Sequence, residues 1–164
     1  MDKILRFSGS EKVFQCPICK SDLRLEQKSL ICSNRHCFDI AKSGYVNLAI
    51  GTKTSEYYSK ETFQNRREIL EKGYYSHILK ALVQLIEDYG RIDTILDIGC
   101  GEGYYSRKIK EALSDEDIIA FDISKDSIQL ASKSDFNNSI KWFVGKIKKM
   151  AIKDKSIDCI LDIF

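Results

Sequence analysis

The sequence predicts an α/β chain: a parallel sheet wound with helices, preceded by a small module held together by metal rather than by a core of its own. Three observations carry this. Four of the six cysteines, with a histidine among them, crowd into positions 16–37. From residue 93 onward, apolar runs of strand length alternate with amphipathic stretches, and one of those runs breaks into a glycine-rich turn. The 164 residues are 43% hydrophobic and 30% charged, a globular composition that excludes a wholly disordered chain. No apolar run nears the ~20 residues of a membrane span, and the N-terminus lacks the apolar stretch of a signal peptide. A cytoplasmic protein with no membrane contact is therefore expected, and in that reducing compartment clustered cysteines point to metal or catalysis rather than disulfides. The net charge of +2 does not demand a polyanionic partner, although residues 1–50 carry eight Lys/Arg against five Asp/Glu and so permit one.

Three regions follow in order: a cysteine-rich module over 11–50, a linker with two helices over 51–91, and an α/β region over 92–164. Within the first, the alternation of Ser29, Leu30, Ile31 and Cys32 suits a short strand. The second opens with a polar linker over 51–59. Phe63, Ile69 and Leu70 then mark one helix, closed by Gly73, and Ile78, Leu79, Leu82, Leu85, Ile86 and Tyr89 recur at three- and four-residue steps along another, ended by Gly90. In the third region a strand over 94–98 runs into the turn 99–103. A helix over 104–113, a strand over 118–122, a helix over 125–133 and strands over 140–144 and 157–164 follow. Such alternation argues for parallel strands joined by right-handed crossovers.

Cys16-Pro17-Ile18-Cys19 is a knuckle that lets two thiolates bind one ion from a tight turn, and Cys32 with His36 and Cys37 forms a second, thirteen positions after Cys19. Three thiolates and one further donor make a closed tetrahedral zinc site of structural type. Cys16, Cys19 and Cys32 are the expected ligands; spacing leaves the fourth open between His36 and Cys37. Buried thiols in a chance arrangement, or a redox pair, would not need both knuckles.

The turn Gly99-Cys100-Gly101-Glu102-Gly103 has the spacing G-x-G-x-G, not the G-x-G-x-x-G that seats a pyrophosphate. A nucleoside cofactor without a pyrophosphate fits better, and S-adenosylmethionine is the expected one. Gly99, Gly101 and Gly103 would let backbone approach it, Asp97 and Glu102 would face its ammonium end, and Asp122, closing the next strand, would hold its ribose hydroxyls. The bland alternative for Asp122 is a helix cap, a task Ser124 can also perform.

Together the knuckles, the segment Phe38-Asp39-Ile40-Ala41-Lys42-Ser43-Gly44-Tyr45-Val46-Asn47-Leu48 and the turn over 96–105 closely resemble the bacterial 23S ribosomal RNA (guanine-N1)-methyltransferases, the RlmA and tylosin-resistance group. The resemblance runs over nearly the whole chain from Phe14. It implies an N-terminal zinc-ribbon-like module that recognises RNA and a class I, Rossmann-like domain that methylates a guanine in a hairpin loop of 23S rRNA. It also implies His36 as the fourth zinc ligand and a cofactor contact at Tyr75. The chain departs from the family pattern at Met150-Ala151-Ile152, where a Leu-Pro-Phe run is usual.

The last strand runs to the final residue, so the methyltransferase domain is expected to be incomplete, and the chain inactive by itself. A bare fourth strand leaves room for a homodimer. No catalytic base is assignable; Asp162 is a carboxylate near the strand tip, and Lys146, Lys148, Lys149, Lys153 and Lys155 are candidates for phosphate contacts. Two other classes fit less of the sequence: a zinc-dependent RNA-binding module carrying a non-catalytic remnant, and a small-molecule methyltransferase with an added metal module.

Overall fold

In the computed structural model, which describes residues 3–51 and 59–163, period-two alternation decides the layers. The linker residues 52–58 and Phe164 lie outside that description. Three short strands, β1 (Leu23–Glu26), β2 (Ser29–Cys32) and β3 (Cys37–Asp39), form an antiparallel sheet in the order β1-β2-β3. The second sheet is parallel throughout. It contains β4 (Tyr45–Asn47), β5 (Thr94–Ile98), β6 (Asp117–Asp122), β7 (Ile140–Val144) and β8 (Cys159–Asp162) in the order β4-β7-β6-β5-β8. The stretch 11–50 thus gives its last strand to this sheet, with Val46 in register with Phe143. At the opposite edge, the β8 ladder starts at Cys159 rather than at 157, and just before it the Asp158 carboxylate accepts the N–H groups of Asp93 (3.1 Å) and Thr94 (2.8 Å).

Helices α1 (Lys60–Glu71), α2 (Ser76–Tyr89), α3 (Tyr104–Ala112) and α4 (Lys125–Ser134) cover one face. That face presents Ile95, Ile118, Ala120, Ile140, Trp142 and Leu161 to Leu70, Ile86, Ile109, Ile128 and Ala131. Alternate residues of the same strands, Leu96, Ile119, Phe121 and Phe143, point the other way. They pack there against the metal module, in one core with Phe7, Phe14, Cys16, Leu23, Leu30 and Cys32. The module therefore covers the sheet as a helix layer would.

A buried polar staple fixes the β4 side. The Arg6 guanidinium donates to the Gly44 carbonyl (3.0 Å) and to Asn138 Oδ1 (2.5 Å), and lies 3.5 Å from Asp135. The Asp135 carboxylate in turn accepts from the Trp142 indole (3.1 Å) and the Ile140 N–H (3.1 Å). The Arg6 and Asp135 charges are paired with each other and hydrogen-bonded, Arg6 Nε alone being without a partner among the described residues. Among the described residues, no helix is long and apolar enough to cross a membrane.

Candidate functional site

The metal cluster is assembled by two turns. In the first, the Lys20 N–H donates to the Cys16 carbonyl (2.9 Å); in the second, the Arg35 N–H donates to that of Cys32 (2.8 Å). Lys20 and Arg35 both take φ near +63°, and that left-handed step brings the chain back so that its donors converge. The donor atoms of Cys16, Cys19, Cys32 and His36 all lie within 4.8 Å of one another. Three separations are close to tetrahedral edges: Cys19 Sγ to Cys32 Sγ 3.7 Å, Cys16 Sγ to His36 Nδ1 3.5 Å, and Cys32 Sγ to His36 Nδ1 3.4 Å. Zinc with bonds of about 2.3 Å to sulfur and about 2.0 Å to nitrogen sets its ligands about 3.5–3.8 Å apart. The donor set fits a closed structural zinc site. Cys37, open between alternatives in the sequence, is exposed and turns its thiol toward Asp39 (3.8 Å), away from the cluster. Cys19 is prepared for an ion: the Ser21 hydroxyl, 3.0 Å from its sulfur, is the main cause of a thiol pKa lowered to about 5.

The glycine turn joins β5 to α3. Gly99, Gly101 and Gly103 all have positive φ. At Gly103 the requirement is also steric, since a Cβ there would stand 2.5 Å from the Trp142 ring. The Gly101 N–H donates to Asp122 Oδ2 (3.0 Å), tying the turn to the tip of β6, while the Ser124 N–H donates to Asp122 Oδ1 (2.8 Å). Ser124 caps α4 by accepting from the Ser127 N–H (3.3 Å), so Asp122 is not that cap.

At the C-terminal ends of the parallel strands opens a cavity of about 440 Å³, lined by Ile98, Gly99, Phe121, Asp122, Ile123, Gly145, Lys146, Ile147, Lys148 and Asp162. This is where open α/β sheets hold ligands. A hollow of about 530 Å³ on the metal module is lined by charges of both signs, Arg24, Arg35, Asp22 and Glu26 among them.

Of the residues singled out in the sequence, Gly99, Asp122, Lys146, Lys148 and Asp162 line the strand-end cavity. Asp97, Gly101, Glu102 and Gly103 are not among its lining residues. Asp97 and Glu102 are both 2% exposed. Asp97 shares the face of Ile95, where it accepts a short hydrogen bond from Ser106 of α3. Burial raises its carboxyl to about 7, with the charges of Asp122, Asp162 and Glu102 adding to the effect against the Ser106 hydrogen bond. Glu102 is likewise raised to about 7, by burial against the opposing pull of Arg107. Its Oε2 lies 3.8 Å from the Arg107 guanidinium and has no hydrogen-bond partner. Tyr75 is exposed at the start of α2, near enough to Tyr105 to help, after burial and Tyr104, to raise that hydroxyl. The sequence reading did not include Ile123 and Ile147. Both line the cavity and are unusually exposed for isoleucine, at 48% and 67%. Isolated apolar residues just after two strand tips were the available signal.

Comparison with known proteins agrees with this geometry. Residues 14–55 match the family model of the RlmA N-terminal zinc ribbon, and residues 95–164 match a methyltransferase-domain model. A Bacillus subtilis relative named "Putative 23S rRNA (guanine-N(1)-)-methyltransferase YxjB" is 34% identical over 93% of this chain and 56% of its own length. The Streptomyces fradiae 23S rRNA (guanine(748)-N(1))-methyltransferase is 28% identical over 75% of this chain and 45% of its own length. The chain thus spans about half the length of these relatives. Among solved structures, a Methanococcus maripaludis protein titled a "putative s-adenosyl-l-methionine-dependent methyltransferase" superposes with a TM-score of 0.55. It is 26% identical over 66% of this chain and 52% of its own. The fold is that of the class I methyltransferases, with a zinc ribbon at its N-terminus.

Proposed function

We propose, from its likeness to the RlmA zinc ribbon and to 23S rRNA (guanine-N1)-methyltransferases, that the chain carries the donor-binding site and metal ribbon of an enzyme methylating N1 of a guanine in a 23S rRNA hairpin loop. S-adenosylmethionine, when bound, supplies an electrophilic methyl group open to in-line displacement.

The observation that carries the reading is Asp122. Its two oxygens accept from the Gly101 and Ser124 N–H groups, which fixes the carboxylate at the rim of the strand-end cavity. Each oxygen keeps a lone pair for a vicinal ribose hydroxyl. Ile123 and Ile147 offer aliphatic surface for a flat base. Glu102 Oε2, which has no hydrogen-bond partner among the described residues, is the candidate for the amino-acid ammonium, and Tyr75, close enough to act on Tyr105, is the candidate aromatic contact. Lys146 and Lys148, which line the rim, are candidates for RNA phosphate contacts, and the target base would have to leave its stack to reach the cavity. Lys153 is occupied within the chain, 2.9 Å from Asp22.

Calorimetric titration with S-adenosylhomocysteine tests this. Binding is expected, with Asp122→Asn weakening it about tenfold, the loss of roughly one charge-assisted hydrogen bond. A 23S rRNA hairpin is expected to bind with an affinity that falls as salt rises. Absence of nucleoside binding, or an Asp122→Asn variant that binds as tightly as the parent, would contradict the assignment.

A further inference from the structure

Taking the donor-pocket reading above as its basis, we propose that the metal knuckle builds one wall of that pocket, with Gln15 and Lys153 as positioning residues. The wall is the loop after β7. Its 3-10 turn, Ile147–Lys149, follows Lys146, and both Lys146 and Ile147 line the cavity. These residues are exposed or half-buried, with little packing of their own to hold them. Their position therefore depends on how the loop is tied at its ends.

One end is tied to the sheet, where the Gly145 N–H donates to the Asp122 carbonyl (3.0 Å). The other is tied to the metal module. The Gln15 N–H donates to the Ala151 carbonyl (2.9 Å) and the Lys153 N–H to that of Val13 (2.9 Å), around a bridge between Phe14 and Ile152. The Gln15 side-chain amide spans two carbonyls of the same segment, Ile152 (2.7 Å) and Met150 (3.3 Å). The Lys20 ammonium reaches Met150 as well (3.1 Å), and the Lys153 ammonium donates to the Glu11 carbonyl (3.1 Å) and pairs with Asp22 (2.9 Å).

Gln15 directly precedes the ligand Cys16, and Lys20 directly follows Cys19. The knuckle's conformation is thus transferred to residues 150–153 by hydrogen bonds, and from there to the cavity rim. A second path runs through rings. Phe14 packs edge-on against Phe143 (5.4 Å between centroids), and Phe143 stacks on Phe121 (4.9 Å), which lines the cavity beside Asp122. Without the knuckle, the rim would have to be ordered by the ligand itself. Fixing a backbone residue costs about 1–2 kcal/mol, and preorganisation removes that cost from binding.

The test uses the zinc-loaded chain and S-adenosylhomocysteine, with zinc content, affinity and amide hydrogen exchange measured together. Binding by the parent protein establishes the pocket; failure there overturns the donor reading and, with it, this inference. Given binding, Gln15→Met and Gln15→Met/Lys153→Met are expected to keep one zinc per chain. They should bind the nucleoside about threefold and tenfold more weakly, with faster exchange at residues 146–149. Parent protein stripped by a chelator should show the same exchange signature and recover on zinc addition. Variants with full zinc, unchanged affinity and unchanged exchange would refute the coupling while leaving the donor reading intact. Should the double variant fail to fold, the single variant and the chelated parent decide the matter.

Discussion

The parallel sheet has two faces, and they are covered by different means. On one, four helices bury Ile95, Ile118, Ala120, Ile140 and Trp142, and the layer also takes in two carboxyls, Asp97 and Glu102, raised to about 7 by burial. On the other, Leu96, Ile119, Phe121 and Phe143 are buried by a ribbon of three short strands. That ribbon has little core beyond the one it shares with the sheet. A helix layer brings its own backbone hydrogen bonds and needs only an apolar stripe. The ribbon is smaller, and three things hold it in place: its metal cluster, the residue 13–15 bridge to 151–153, and the Arg6 staple. The lesson is that the metal module is part of the sheet's core.

The comparison breaks most visibly if the ribbon face is only an appendage. Phe14→Ala removes a fully buried ring from the shared core and is expected to lower global stability by about 3–5 kcal/mol, the range for deleting a buried phenylalanine. Ile109→Ala on the helix face is expected to cost about 2–5 kcal/mol in the same urea titration. If the main unfolding transition ignores Phe14→Ala yet responds to Ile109→Ala, the two faces are not equivalent layers.

A smaller effect sharpens the helix side. Gly103→Ala forces a Cβ to within 2.5 Å of Trp142 at a backbone φ of +77°. Overpacking and left-handed strain together predict a loss of about 2–4 kcal/mol, read as a lowered urea midpoint. An unchanged midpoint would mean that α3 does not sit against Trp142.

How much of this was legible in the sequence depended on the range of the interactions. Strands β5, β6 and β7, the bend after β5 and the carboxylate closing β6 were readable because each is a local pattern: an apolar run, glycines, a residue at a run's end. Cys16, Cys19 and Cys32 were readable as donors because knuckle spacing constrains them within a few residues, whereas spacing left His36 and Cys37 open and only the family resemblance pointed to His36. Ribbon attachment was not. Val46 pairs with Phe143 across 97 residues and Phe14 with Ile152 across 138, and a three-residue strand leaves no measurable period. The burial of Asp97 was within reach, since period two puts it on the face of Ile95, under the helices rather than at the cavity. Its type pointed to a ligand; its phase pointed to Ser106.

The smallest predicted effect concerns pH. With the Glu102 carboxyl near 7 in the ligand-free protein, an ammonium group binds best to its ionised form. Nucleoside affinity should therefore rise between pH 6 and 8, approaching a tenfold gain per unit below pH 7 and levelling off above it. Glu102→Gln should flatten the profile. A parent profile already flat across this window would remove Glu102 from the ammonium site.

The account as a whole is tested most directly by mapping S-adenosylhomocysteine onto the zinc-loaded chain by amide chemical shifts. It predicts shifts concentrated at Gly99, Gly101, Asp122, Ile123 and Ile147, the bend and rim of the strand-end cavity. Shifts gathered instead around Arg24 and Arg35 on the ribbon, or none at saturating nucleoside, would contradict it.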